Sequence, residues 1–93
     1  YNNSYRDVTL INKEANIMTK RTIKLVTIDD VKDFVRKSNA YDHEADLTLG
    51  KYTVDAKSIM GIFSLDLSRP LELTIHSDSC DAFLDEIAAY IVK

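Results

Sequence analysis

Two histidines, His43 and His76, one cysteine, Cys80, and one serine, Ser58, are the residues whose types and settings could support chemistry. An imidazole at the start of a helix can carry a phosphoryl group, because the free backbone N–H groups and the helix dipole stabilise the added charge. Neither histidine has that setting. His43 falls in the polar break Asp42–Glu44, and His76 points from the outer face of a predicted strand, so both read as solvated side chains. Two distant histidines and one cysteine give no metal-ligand spacing, and no cofactor signature is present. Cys80 lies near a predicted helix start, which can lower a thiol pKa; a lone thiol there reads more simply as packing. Ser58 opens a short predicted helix, where its hydroxyl can accept from a free N–H. A phosphate placed there would gain from the same N–H groups and dipole. Ser58 is therefore a candidate for regulatory phosphorylation, with a plain helix cap as the alternative.

The elements that position these residues can be read from periodicity. Thr22–Val26 is short and β-branched, which suits a first strand. Thr27 then reads as an N-cap with Asp30 three residues on, a capping box with Asp in place of Glu. Ile28, Val31, Phe34 and Val35 form one face of an amphipathic helix running to Asn39 or Tyr41, with Lys32, Asp33, Arg36 and Lys37 on the solvated face. Ala45–Leu49, Gly50-Lys51 and Tyr52–Asp55 predict a hairpin. Ile59–Leu65 reads as a short helix, and Asp66–Pro70 as a loop. Leu71, Leu73 and Ile75 predict a strand with one buried face. Ser77–Cys80 is a second capping region, and Phe83, Leu84, Ile87, Ala88 and Ile91 are the stripe of a final helix reaching the chain end. Strand, helix, two strands, helix, strand, helix is an α+β order.

Composition bounds the function classes. Ninety-three residues make one domain burying roughly 60–65% of its unfolded surface. A net charge of −3 leaves no basic footprint for nucleic acid. No apolar run reaches membrane-span length, and a single cysteine suits a reducing compartment, so the expected address is the cytoplasm. Residues 1–19 lack a packing period and read as a flexible N-terminal extension, with the folded domain over 20–93. Lys13-Glu14-Ala15-Asn16-Ile17-Met18 can also be encoded by a purine-rich ribosome-binding site before a start at Met18.

The run Lys57-Ser58-Ile59-Met60-Gly61-Ile62-Phe63-Ser64-Leu65 resembles the serine-site helix of HPr, the histidine-containing phosphocarrier of the bacterial sugar phosphotransferase system. The resemblance covers about Arg21–Val92, and it is strong over Asp55–Ile75 and architectural elsewhere. It implies an open-faced β-sandwich, four antiparallel strands with three helices on one face. Family members also carry Gly-(Ile/Leu)-His-Ala-Arg-Pro-Ala upstream, with the histidine that takes the phosphoryl group. Here that stretch reads Leu25-Val26-Thr27-Ile28-Asp29-Asp30-Val31. The family's spacing from Ser58 puts Thr27 at the histidine position, Asp29 at the arginine and Asp30 at the proline. Two unit charges ~6 Å apart at an effective dielectric of ~20 interact by roughly 3 kcal/mol, so aspartates in place of arginine disfavour a bound phosphoryl group.

The resemblance further implies that Ser58 matches a serine phosphorylated by a dedicated kinase in Gram-positive members, whose phosphoserine form binds a transcription regulator. It also implies that Ile59, Met60 and Phe63 match an exposed apolar patch that docks protein partners. The expectation is a regulatory or protein-interaction module, not an enzyme, monomeric or weakly dimeric, that does not relay phosphate through histidine. The alternatives are a working phosphocarrier with a relocated acceptor, and a structural subunit pairing through its open sheet.

Overall fold

The computed structural model describes residues 18–93. Period-two burial sets its sheet. Ala45, Leu47 and Leu49 of β2 (Ala45–Leu49) and Leu71, Leu73 and Ile75 of β4 (Leu71–Ile75) are buried, while the residues between them are not. One face of such a sheet lies on the core and the other stays in water. With β1 (Thr19–Ile23) and β3 (Tyr52–Asp55) the order is β1-β4-β2-β3, every neighbour antiparallel. The β2–β3 hairpin turns at Gly50, whose φ of 61° is costly for any side chain with a Cβ.

Three helices supply the other layer: α1 (Ile28–Asn39), α2 (Ile59–Phe63) and α3 (Asp81–Glu86). Val31 and Phe34 from α1, Ile62 from α2 and Phe83 from α3 close the core over Ile23, Leu47, Leu73 and Ile75 of the sheet. The result is the open-faced α+β sandwich expected from the sequence. Its open face pairs only polar residues: Lys20 with Thr74, Thr22 with Glu72, Thr48 with Thr53, Asp46 with Asp55. A polar face of this kind is at home in solvent.

Three boundaries differ from the sequence reading. β1 spans Thr19–Ile23, not Thr22–Val26, because its register against β4 starts at Thr19↔Ile75. Beyond Ile23 the chain leaves the sheet to reach the α1 cap, and Val26 is 70% exposed. Of the extension expected over residues 1–19, Thr19 lies in β1, and residues 1–17 lie outside the described residues. α2 stops at Phe63, since the Ser64 hydroxyl and backbone N–H both donate to the Gly61 carbonyl and tighten the last turn.

The final helix also ends early, at Glu86. Ala88–Tyr90 forms a 3-10 turn and Ile91 bridges antiparallel to Ile23. Lys24 N–H donates to Tyr90 C=O and Val92 N–H to Thr22 C=O, both at 2.8 Å. Unpaired groups on the outer edge of β1 offered these β-branched residues a strand partner, and that outweighed the helical period.

Asp33, read from the sequence as merely solvated, ties α1 to this returning end. It accepts from Tyr90 Oη at 2.6 Å and pairs with Lys37 Nζ at 2.9 Å and with Arg36. The Tyr90 hydroxyl, then Lys37 and Arg36, hold its carboxyl well below the ordinary range, and the same bond pushes Tyr90 up to about 12. The bond needs Asp33 charged and Tyr90 protonated. Free Asp titrates near 4 and free Tyr near 10. Asp33's contribution is therefore present above about pH 4 and lost as pH falls toward its depressed folded value. Tyr90's is present below about pH 10 and lost as pH rises toward about 12. Thermal midpoints followed by circular dichroism should fall on both limbs. Tyr90→Phe should flatten the alkaline limb, and an unchanged limb would show that the bond does not contribute.

Candidate functional site

The sequence resemblance points to the N-terminus of α1 as the place of a phosphoryl acceptor. Thr27 is the N-cap, with extended backbone at φ −111° and ψ 165°. Its Oγ1 accepts from Asp30 N–H at 3.0 Å, and Asp30 Oδ2 accepts from Val26 N–H at 3.0 Å and Thr27 N–H at 3.1 Å. This is a complete capping box. The Val26 and Thr27 N–H bonds hold the Asp30 carboxyl below its usual range. A fixed carboxylate thus occupies backbone donors that would otherwise be open to an incoming anion. Asp29, also in the first turn, adds a second acidic side chain.

Ser58 caps α2, its Oγ accepting from Gly61 N–H at 3.1 Å. A Cβ at position 61 would come within 3.1 Å of both Ser58 Oγ and Val54 Cβ, so the glycine permits the close approach. Two lysines fix the direction of α2. Lys57 Nζ, just before it, donates to Tyr41 C=O beyond the end of α1 at 2.7 Å, and Lys24 Nζ, ahead of α1, reaches Ser68 C=O beyond α2. α2 therefore runs back along α1, with Phe63 toward the Thr27 end. Ser58→Ala should cost about 1 kcal/mol, whereas Ser58→Asp, another good cap, should cost far less. Urea denaturation distinguishes them, and equal midpoints would show that the cap is not what holds this five-residue helix.

A family model described as the PTS HPr component phosphorylation site matches residues 30–93. The chain belongs to the HPr family. The family is the phosphocarrier family of the phosphotransferase system, whose members interact with that system's proteins. The matched segment opens at Asp30, so Thr27 and Asp29 lie ahead of it. No curated protein sequence matches the chain. Among solved structures, the phosphocarrier protein HPr of Bacillus anthracis str. Ames is similar with a TM-score of 0.64 and 24% identity, over 83% of this chain and all of that one. HPr-C-His from Thermoanaerobacter tengcongensis gives 0.65 and 22%, over 76% and 88%. Identities this low show the HPr fold.

On that fold the three patch residues are placed unequally. Met60 is 76% exposed and Phe63 38%, whereas Ile59 is half-buried against the core. Sequence periodicity put Ile28 on the buried face of α1, yet it is 61% exposed. As the first helical residue it precedes the turn that meets the sheet, and inward packing starts at Val31. Val26 and Ile28 are thus exposed apolar side chains flanking the α1 cap, a feature that periodicity alone had hidden.

The remaining reactive residues lie elsewhere. His43 stacks on Tyr41, ring centroids 6.0 Å apart. His76 is exposed on the open sheet face, with Nε2 2.9 Å from Asp46 Oδ2. Cys80 is buried, with Sγ 3.8 Å from Ser77 C=O, and it precedes α3 without any side-chain cap. The Ser77–Cys80 stretch therefore does not cap α3 through a side chain. Ser77 Oγ accepts instead from Ser79 N–H within the loop. Among the described residues no group of three or more His, Cys, Asp or Glu could hold a metal ion, and no helix is long and apolar enough to cross a membrane.

Proposed function

We propose that this HPr-family chain is a protein-binding regulatory module, neither an enzyme nor a histidine phosphorelay, that works in the cytoplasm on partners of the phosphotransferase system or its regulators. The observation that carries this reading is the Asp30 carboxylate seated on the Val26 and Thr27 N–H groups, beside Thr27 at the histidine position. A phosphoryl group there would have to displace a bound anion while repelled by Asp29. In this reading Met60 and Phe63, with Ile59 beneath them, dock the partner. Ser58 is the site where phosphorylation modulates it: a phosphate on Oγ would add charge at the α2 start, next to the apolar surface. The polar open sheet face gives no apolar surface for a structural dimer to cover, which favours a monomer.

One observation favours a relocated acceptor. Asp46 orients His76 through Nε2, and Nδ1 makes no hydrogen bond among the described residues. Against this, Glu44, Asp46 and Asp55 line the adjoining hollow with Lys57 as its one cation, a poor setting for a phosphoryl dianion. Incubating the protein with phosphoenolpyruvate and the system's first enzyme decides the matter. No acid-labile phosphate on the chain is the expected result. Label lost on His76→Gln would establish the second reading in place of the first.

A further inference from the structure

A groove of about 600 Å³ runs between the β2–β3 hairpin and the loop that follows α2. Leu49, Val54 and Leu65 are its aliphatic lining residues, and Tyr52 stands 66% exposed beside them. Lys51 on the hairpin and Arg69 on the loop bring positive charge from its two sides, and neither makes an ion pair among the described residues. The one acid in the lining, Asp66, keeps its charge and offsets part of Arg69's: its Oδ1 accepts from Ser68 N–H at 3.1 Å and from Ser68 Oγ at 2.6 Å, both neutral donors, and Arg69 and Lys24 act on it through space. Two cations against one acid leave the groove with a net positive charge over an apolar floor, on a chain of net charge −3.

The groove is also bounded by β3, an edge strand hydrogen-bonded only to β2. An exposed edge can pair with an extended chain through main-chain hydrogen bonds, while alternate side chains of that chain face opposite ways. We infer that this groove docks an extended acidic segment of a partner protein, its apolar side chains on Tyr52, Val54 and Leu65 and its carboxylates at Lys51 and Arg69. Neither Met60 nor Phe63 lines the groove, and the site does not depend on whether the chain relays phosphate.

The probe is a fluorescein-labelled peptide alternating glutamate with valine, with its lysine–valine counterpart as control. Fluorescence anisotropy should show binding of the glutamate peptide and not of the lysine one. Amide resonances of Gly50 to Val54 and of Arg69 should shift most on titration, with that of Met60 unmoved. Lys51→Glu combined with Arg69→Glu should weaken binding about tenfold or more, as two rim charge pairs turn repulsive. Both side chains are exposed, so the thermal midpoint should hold and separate lost docking from lost folding. Equal binding of both peptides, no binding of either, or shifts centred on Met60 and Phe63 would overturn the inference.

Discussion

Phe34→Ala should lose about 4 kcal/mol of stability, the largest single-residue effect expected in this domain. The ring is fully buried, and its centroid lies 6.4 Å from those of both Phe83 and Tyr90, tilted against the first and edge-on to the second. It joins α1, α3 and the returning 3-10 turn in one aromatic cluster. Ser38, four residues on, is buried too, and donates its hydroxyl to the Phe34 carbonyl at 2.8 Å. A domain of this size is stable by about 5–10 kcal/mol in total. Truncating Phe34 therefore removes close to half, and the thermal midpoint should fall by roughly 20 °C. Ile28→Ala, on the same predicted stripe but exposed, should change stability by less than about 0.5 kcal/mol. Urea denaturation of the two variants is a direct comparison. Similar losses would mean that the helix is packed on a different face.

That contrast shows what periodicity can and cannot reveal. Alternation in Ala45–Leu49 and Leu71–Ile75 is strict, so which face of the sheet is buried could be read directly. Thr27 and Asp30 announce a capping box because both halves of its reciprocal bonding lie within three residues of sequence. Ser58 is legible as a cap for the same reason. Local signals failed where a distant partner decides the structure. Ile91 fits a helical stripe, yet Ile23, far back in the sequence, draws it into strand pairing, with Val92 N–H on Thr22 C=O beside it. Asp33 has the look of any surface acid until the chain end returns and brings Tyr90 to it.

The candidate site divides along the same line. Residue types at positions 27, 29 and 30 can be set against a family motif, so the proposal that Thr27 and Asp29 stand in place of the histidine and arginine needs no coordinates. That Asp30 Oδ2 reaches past Thr27 to the Val26 N–H as well depends on backbone geometry ahead of the helix. The Lys51–Arg69 groove was not legible at all. Its two cations belong to separate loops, and nothing in either loop's composition signals that they meet.

Thr27→His combined with Asp29→Arg and Asp30→Pro should accept phosphoryl groups at least about a hundredfold faster than Thr27→His alone. The single variant supplies an imidazole to a helix start whose donors at Val26 and Thr27 remain occupied by Asp30, with Asp29 close by. Each unit of charge altered within ~6 Å is worth roughly 3 kcal/mol at an effective dielectric of ~20, and 1.4 kcal/mol is about a factor of ten in rate. Solvent screening at this exposed helix end reduces that figure, but three units of charge change together, two at position 29 and one at position 30. Asp30→Pro also clears the carboxylate from the two N–H groups, and a proline in the first helical turn is tolerated. Losing the capping box costs the triple variant about 1 kcal/mol, which leaves it folded. Acid-labile label transferred from phosphoenolpyruvate through the system's first enzyme measures the difference. Labelling of the single variant as fast as the triple would show that the acidic cap does not oppose phosphorylation, and the basis for a non-relaying chain would be gone.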